Sequence, residues 1–311
     1  MTALAISPPP PPPGRAERRA RTRQLAAGLA WCSPWLVGSS VFVFAPMVMS
    51  LYFSCTDYPL LEPPLWSGAS NYRQLLHDPT FARVVKNTAV YAALSIPLYT
   101  IFALVLAAAM AGRGRFTSLY RAAVFVPTLV PLIASAMVWM WLFNGEYGLI
   151  NKLLALVHIR GPAWVVDESW VPVSMVLMSL WSVGQGVVIY IAAMQDVPRQ
   201  LYEAATIDGM NAPRRFVHVT LPMISPAILF NVISLTIAAV QVFAVPYVIF
   251  RRPDGQNPAG HYYSMYLYEN AFIYGKMGYA SAMAWLQLVV VMGLTGVLLL
   301  VGRRLVHYSR L

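Results

Sequence analysis

The amino-acid sequence predicts an all-α protein that crosses a membrane several times. Of its 311 residues, 58% are hydrophobic and 11% are charged, and the mean hydropathy is +0.58. Soluble domains carry about a quarter charged residues, so this composition excludes an ordinary soluble enzyme and a disordered chain. The second observation is that apolar stretches long enough to cross a bilayer recur along the whole chain.

Six stretches of 22 to 28 residues contain no Asp, Glu, Lys or Arg. A helix of about 20 apolar residues crosses a bilayer, so each stretch predicts one transmembrane helix. The predicted spans cover approximately residues 27–53, 88–111, 122–143, 171–195, 223–250 and 279–302. The first apolar run exceeds that of a cleaved signal peptide, which favours a retained signal-anchor helix.

The segments outside the spans predict how the chain is oriented. A basic tail at 1–26, disordered because of its proline run, precedes the first span, and a short tail at 303–311 follows the last. With the 112–121 and 196–222 loops, the two tails hold 14 of the 22 basic residues against four acidic ones. The remaining connections hold eight of each sign. Because cytoplasmic loops are enriched in Lys and Arg, both termini are predicted to be cytoplasmic. This distribution argues for contact with membrane lipid and against nucleic acid.

Several kinds of chemistry are absent from the sequence. It contains no phosphate-binding GxxxxGK[ST] loop and no HExxH, CxxC or GxSxG motif. The predicted spans hold no ionisable group, which disfavours a membrane-embedded enzyme and a proton-coupled secondary carrier. No enzymatic activity is therefore expected of this chain, and if it drives uphill transport, the energy must be supplied from outside it.

The outer connections are rich in aromatic residues. Residues 71–85 carry an apolar pattern that predicts an interfacial helix. Five tyrosines in the 251–278 connection are interpreted as an aromatic belt at the membrane surface, with substrate contact as the alternative.

The 196–222 loop predicts a compact helix–turn–helix. Pro198 suits the first turn of a helix, Gly209 can end that helix in the left-handed conformation, and Asn211 can cap a second one. Small residues and the carboxylate of Glu203 lie near its predicted contact face. One face of the first helix is formed by Leu201, Ala204, Ala205 and Asp208. Such a knob would fit a groove in a partner; the alternative is an amphipathic connector lying on the lipid headgroups.

The same loop carries a family resemblance. Glu203-Ala204-Ala205, Gly209 and Val219-x-Leu221-Pro222, at this spacing, resemble the EAA loop of bacterial ABC importer permeases. A further stretch, from Leu119 to Pro127 with Trp139 to Phe143 after it, is similar to the third-span signature of carbohydrate-importing permeases. The similar class is the six-span version of the maltose and glycerol-phosphate permeases.

This resemblance implies a type I ABC importer permease fold in the bacterial cytoplasmic (inner) membrane. The implied partners are a second homologous permease, an ATP-binding subunit dimer and an extracytoplasmic sugar-binding protein. No cofactor is expected in this chain, since ATP and Mg would be bound by the ATPase subunits. The residues expected to couple the chain to the ATPase are Glu203, Ala204, Ala205, Asp208, Gly209, Leu221 and Pro222.

A sugar passing through the membrane needs hydrogen-bonding groups and an aromatic face. Spans four and five, which build the solute site in similar permeases, offer Trp181, Ser182, Gln185 and Gln241, with Asn231 lying deeper toward the cytoplasm. The alternative is that these groups only form hydrogen bonds between helices. The function predicted is import of a carbohydrate; a permease for a non-sugar solute and a self-sufficient secondary carrier are the competing hypotheses.

Overall fold

The computed structural model describes residues 15–112, 114, 116–251 and 257–305, and the chain divides after Phe53 into two units. In the first unit, α1 (Arg15–Ser39) continues through a π-helical turn (Ser40–Phe44) into α2 (Ala45–Ser54). The tail predicted as disordered is therefore helical from residue 15 onward. Its Ala, Arg, Gln and Leu residues all favour helix, which the proline-based prediction overlooked. The proline run itself lies outside the described residues.

The second unit is a bundle of helices with one short β-ribbon. Strands β1 (Thr56–Asp57) and β2 (Leu65–Trp66) pair antiparallel. The helices, in chain order, are α3 (Ser70–His77), α4 (Pro79–Met110), α5 (Thr117–Phe125), α6 (Leu132–Leu142), α7 (Leu149–Leu156), α8 (Val171–Trp181), α9 (Gly184–Gln195), α10 (Arg199–Ile207), α11 (Ala212–Arg215), α12 (Leu221–Met223), α13 (Ser225–Val240), α14 (Ala244–Phe250), α15 (Tyr263–Tyr268) and α16 (Met277–Leu305).

Within the described residues, four helical segments are long and apolar enough to cross a membrane, and two bent helix pairs can each form a further span. The four segments are Ala26–Ser54, Pro79–Met110, Ser225–Phe250 and Met277–Arg304. The bent pairs are α5 with α6 and α8 with α9. Counting each pair as one span gives the six spans predicted from the sequence, in an all-α fold.

The third predicted span, 122–143, is not one helix. After α5 and a 3₁₀ turn (Val126–Leu129) the chain changes direction by 99° before α6. Val130 has extended dihedral angles because the ring of Pro131 disfavours the helical conformation of the residue before it. The helix prediction therefore overlooked a break that the proline enforces.

The fourth predicted span, 171–195, bends by 52° between α8 and α9. Gly184 begins α9 in close contact with α5: a Cβ at this position would lie 2.4 Å from the carbonyl oxygen of Val124. Only glycine allows this approach, so the bend brings the third and fourth spans together.

The second span begins earlier than predicted. The interfacial helix expected at 71–85 ends at His77, and α4 starts at Pro79 rather than near Thr88. Asp78 separates the two helices because it precedes a proline and is extended, with ψ 113°. Its side chain accepts a hydrogen bond from the Thr80 amide at 2.8 Å and so caps α4.

Candidate functional site

The loop between α9 and α13 forms the predicted helix–turn–helix, which we call the coupling knob (residues 198–215). Gly209 follows its first helix, α10, with φ +74°. The Gly209 amide donates to the Thr206 carbonyl at 3.0 Å, and the Met210 amide donates to the Ala205 carbonyl at 2.9 Å. These two bonds form a Schellman motif, which ends a helix with a fixed change of direction.

The second helix of the knob, α11, is fixed to the first. Asn211 caps it by accepting a hydrogen bond from the Arg214 amide at 3.1 Å, as predicted. Arg215 Nη1 donates to Thr206 Oγ1 at 3.0 Å, which joins the two helices directly. The Tyr202 hydroxyl lies 2.9 Å from Thr220 Oγ1 and joins α10 to the segment that leads into span five. Side-chain hydrogen bonds therefore hold the two helices of the knob to each other and to the start of span five, which makes the knob a braced unit.

The two faces of α10 differ. Ala205 is 3% exposed and packs inward, whereas Glu203 and Ala204 are exposed. Ile207 is 87% exposed although it is a large aliphatic residue, and it lies one turn after Glu203 on the outward face. Sequence analysis did not single out Ile207; its spacing of four residues from Glu203 was the available signal.

The other predicted coupling residues lie either on the surface of the knob or at its root, the chain segments that join the knob to α9 and α13. Asp208 and Gly209 are exposed at the turn, and Leu221 and Pro222 are half-buried in α12, directly before span five. The root packs in a hydrophobic cluster whose buried members include Val197, Met194 and Met110. Movement of the knob is thus connected through packed side chains to α4 and α9.

The predicted pathway residues of span four lie at its bend. Trp181 ends α8, Ser182 is at the break and Gln185 is in the first turn of α9. Trp181 and Gln185 are exposed. The Ser182 carbonyl accepts a hydrogen bond from the Tyr99 hydroxyl at 3.1 Å, and the Trp181 ring lies edge-on to Trp139 at 5.8 Å.

Gln241, the predicted pathway residue of span five, lies in a second interruption. Helix α13 ends at Val240 and α14 starts at Ala244, and the Gln241 side chain is exposed between them. Gln287 of α16 donates Nε2 to the Val240 carbonyl at 2.9 Å. Sequence analysis missed Gln287, whose only signal was an amide side chain within an apolar span.

An aromatic cluster follows Gln241. Phe243 and Tyr247 have ring centroids 5.0 Å apart, and Tyr268 lies 5.3 Å from each of them. The Arg251 guanidinium lies 5.0 Å from the Tyr247 ring centroid and also donates to its hydroxyl. Such a group of aromatic faces beside an exposed amide can stack on a sugar ring.

Asn231 is buried rather than facing an opening. A Cβ at Gly186 would lie 2.9 Å from Asn231 Nδ2, so α9 and α13 approach closely at this point. Asn231 Nδ2 and the buried Tyr190 hydroxyl are both without a hydrogen-bond partner. The structure therefore places Asn231 in a packed helix junction.

The interpretation of the 251–278 tyrosines as an aromatic belt is wrong for two of them. Tyr262 is 1% exposed and Tyr263 is 6% exposed, so both are packed inside the protein. The Tyr263 amide donates to Thr88 Oγ1 at 3.0 Å, and its hydroxyl donates to the Met283 carbonyl at 2.7 Å. Periodicity could not reveal this, because the hydrogen-bond partners are more than 170 residues away for Thr88 and 20 residues away for Met283.

The same connection is held by polar contacts around Asp78. Its Oδ2 accepts hydrogen bonds from the hydroxyls of Tyr266, at 2.5 Å, and Tyr279, at 2.7 Å. Burial alone would raise the pKa of Asp78, but the bonds from the two hydroxyls and the Thr80 amide outweigh it and lower that pKa. Burial and the bond to this carboxylate raise the pKa of Tyr266 to about 12. Close by, His261 and Glu269 form a buried pair at 3.1 Å.

A helical membrane bundle with bent spans and a braced knob before its fifth span has the architecture of a transport permease. The chain belongs to the family of binding-protein-dependent transport system inner membrane components, whose pattern matches residues 80–307. It is therefore a multi-pass membrane permease subunit of the ABC importer class, as the EAA resemblance predicted.

Individual relatives match over most of their length. The chain is 35% identical to the probable ABC transporter permease protein YesP of Bacillus subtilis, covering 91% of this chain and 92% of that one. It is 31% identical to the trehalose/maltose transport system permease protein MalF of Thermococcus litoralis (90% and 95% covered). The lactose transport system permease protein LacF of Rhizobium radiobacter is 30% identical (85% and 90% covered).

The fold matches a solved structure. A chain of a bacterial ABC transporter involved in import of the acidic polysaccharide alginate superimposes with a TM-score of 0.82. That match covers 94% of this chain and 100% of the other at 19% identity, so it supports the fold and not the solute.

Proposed function

We propose that this chain is the membrane permease subunit of an ABC importer that moves a carbohydrate into the cell. Relatives at 30% and 31% identity are permeases for lactose and for trehalose and maltose. The observation that carries the proposal is the braced coupling knob, because a stiff projection with an exposed carboxylate and an exposed aliphatic side chain suits docking into a partner groove.

In this proposal the outward face of α10 binds an ATPase subunit. The Glu203 carboxylate meets a basic residue there, and Ile207 fills an apolar hollow. Ala205 acts inside the permease by holding α10 against its root. Because the Schellman turn and the Thr206–Arg215 bond hold the knob rigid, closure of the ATPase dimer would move the knob as one body and change the packing of spans four and five.

The proposed partners are a second homologous permease, an ATP-binding subunit dimer that holds ATP and Mg, and an extracytoplasmic sugar-binding protein. This chain itself would not hydrolyse ATP. The knob lies on the cytoplasmic side of the bacterial inner membrane with both termini. The excess of basic residues in the tails and in the loops on that side supports this orientation.

The proposed solute pathway runs past the interruptions of spans four and five. Trp181 supplies an aromatic face, and Ser182, Gln185 and Gln241 supply hydrogen-bonding groups. Interruptions expose backbone and side-chain polar groups, which a membrane-spanning segment tolerates only where they line a cavity or are buried in protein.

The test is purification of the tagged protein from detergent-solubilised membranes, followed by partner identification and reconstitution into liposomes. We expect a second permease and an ATPase to co-purify, and ATP-dependent uptake of at least one neutral or acidic saccharide from a panel. If only amino acids or phosphate were taken up, the proposal of a carbohydrate substrate would be wrong and the chain would be a permease for a non-sugar solute. A chain that purifies alone, without ATPase activity, would overturn the proposal in favour of a self-sufficient carrier.

A further inference from the structure

An open cavity of about 560 Å³ lies beside the first part of α4 in the second unit. One wall is the first part of α4, another is the chain just before and within α8, and the third is the turn at Pro258–Gly260. The far end of α4, at Met110, packs in the same cluster as the knob root, so the cavity faces away from the proposed ATPase. None of the predicted pathway residues lines it.

Hydrogen bonds hold the three walls together. Asn87 of α4 donates Nδ2 to the carbonyls of Pro258, at 2.8 Å, and His261, at 2.9 Å. On the other side of the turn, Asn257 donates Nδ2 to the Val166 carbonyl at 2.9 Å. The turn is thus fixed to both neighbouring walls, and the cavity is formed before a ligand arrives. Preformed sites lose less ordering entropy on binding.

The cavity carries charged side chains that form no ion pair with any residue that the structure describes. Arg83 and Lys86 are exposed, lie three residues apart on one face of α4 and line the cavity. Glu168 is also exposed and lines the cavity from the segment before α8. Among the described residues, His261 and Glu269 form the single ion pair. Arg83, Lys86 and Glu168 therefore take part in no ion pair with these residues. Two cations and one carboxylate therefore face the same open space.

We propose that this cavity binds an acidic saccharide, with Arg83 and Lys86 holding its carboxylate and Glu168 accepting hydrogen bonds from its hydroxyls. The inference rests on the proposed function, since it assigns the class of carbohydrate. The guanidinium of an arginine matches the planar geometry of a carboxylate, and a lysine adds a point charge. The volume of the cavity falls within the range of small-ligand sites, roughly 300–1,000 Å³.

An acidic patch on a docking protein is the other ligand that two cations could attract. Glu168 argues against it, because a run of protein carboxylates would meet this like charge in the same cavity. Each ring of an acidic saccharide instead carries one carboxylate for the cations, together with hydroxyl donors for Glu168. The two cationic donors and the single carboxylate acceptor of the cavity therefore favour a sugar over an acidic protein surface.

The test measures binding of digalacturonate and of the neutral disaccharide cellobiose to the purified importer complex in lipid nanodiscs, by titration calorimetry without binding protein. We expect digalacturonate to bind at least about tenfold more tightly than cellobiose, as a charge-assisted pair requires. The double variant Arg83→Gln/Lys86→Gln should lose this preference. Arg73→Gln, which removes an exposed cation of α3 outside the cavity, should keep it.

Salt provides a second measurement that does not depend on variants. Digalacturonate binding should weaken as NaCl rises from 50 mM to 500 mM, and cellobiose binding should not. Equal affinities for the two disaccharides, or a preference that survives Arg83→Gln/Lys86→Gln, would overturn the inference. The inference would also be overturned if Arg83→Gln/Lys86→Gln reduced only the stimulation of ATP hydrolysis by the binding protein. That result would identify the cavity as a protein-docking site.

These outcomes are separate from the fate of the proposed function. ATP-dependent uptake of neutral saccharides alone, with no digalacturonate binding, would remove the acidic-sugar site and leave the importer intact. Loss of ATPase partners and of all saccharide uptake would instead remove the proposed function, whatever the nanodisc titration showed.

Discussion

Gln287 Nε2 donates a hydrogen bond to the carbonyl oxygen of Val240 at 2.9 Å, joining span six to the interruption in span five. The last carbonyls of a helix lack intrahelical partners, and inside a bilayer water does not replace them. Gln287 also lies 3.3 Å from Ser264 Oγ and so connects α13, α15 and α16. The next residue along the chain from Val240 is Gln241, which this bond holds at the proposed pathway.

Gln287→Leu is expected to lower the stability of the permease and to raise the KM for solute more than it changes maximal uptake. An unsatisfied buried carbonyl costs about 1–3 kcal/mol. Thermal unfolding of the detergent-purified protein and uptake by reconstituted vesicles measure the two effects. Val290→Leu, an exposed position on the same helix, is the matched control and should change neither. Wild-type KM and melting temperature for Gln287→Leu would show that the bond does not position the pathway.

Glu203→Gln and Ile207→Ala are expected to uncouple ATP hydrolysis from transport without destabilising the permease, because both side chains are exposed. Truncation of a central interface side chain commonly costs about 1–2 kcal/mol or more of binding, which predicts at least a several-fold fall in ATP-driven uptake. Val217→Ala, at 53% exposure, removes a comparable aliphatic side chain just beyond the knob and should be neutral. Equal effects of Ile207→Ala and Val217→Ala would mean that α10 does not contact the ATPase.

Substitutions of Gly209 distinguish the effect of backbone strain from the effect of contact with a partner. Its φ is +74°, and a Cβ there would meet no atom within 4 Å, so a side chain is resisted by backbone conformation alone. Gly209→Ala should cost about 1–2 kcal/mol locally, and Gly209→Asn should cost less because Asn tolerates this region. Gly209→Trp adds the same strain plus bulk. Uptake by Gly209→Trp far below that of Gly209→Ala, at equal expression, would show that a partner covers the turn; equal uptake would show that it does not.

Gly184→Ala is expected to prevent correct packing of spans three and four. The added Cβ would lie 2.4 Å from the Val124 carbonyl oxygen and 2.8 Å from the Phe125 Cα, which are backbone atoms that cannot rotate away. Gly293→Ala meets nothing within 4 Å and is the control. Size-exclusion profiles in mild detergent measure the result. A monodisperse Gly184→Ala protein with the wild-type melting temperature would rule out the tight α5–α9 approach.

Asp78→Asn is expected to lower the stability of the outer connection in a pH-dependent way. The pKa of Asp78 is lowered in the fold, so its contribution is complete above the unfolded value, about 3.9, and is lost as pH falls through the lower folded value. Asn retains the helix cap but not the charged acceptor of two tyrosine hydroxyls. The melting-temperature difference between wild type and Asp78→Asn should be largest near neutral pH and should shrink in acid. A difference independent of pH would contradict the role of the charge.

Local signals carried most of what the sequence predicted correctly. The coupling knob was predicted helix by helix because Pro198, Gly209 and Asn211 act on their own neighbours. The bend at Gly184 was missed because it depends on Val124, which lies 60 positions earlier in the chain. Tyr262 and Tyr263 were misplaced for the same reason, since their environment is built by α4 and α16.

The central claim is that the outward face of the coupling knob docks on an ATPase, and cross-linking tests it most directly. A photo-crosslinking amino acid in place of Ile207 is illuminated in native membranes, and the adduct is identified by mass spectrometry. The same amino acid replaces Val217 in the control. We expect an ATP-binding subunit to be captured from position 207 and to be captured much less from 217. Adducts of position 207 with lipid alone would contradict the account and would identify α10 as a helix lying on the membrane surface.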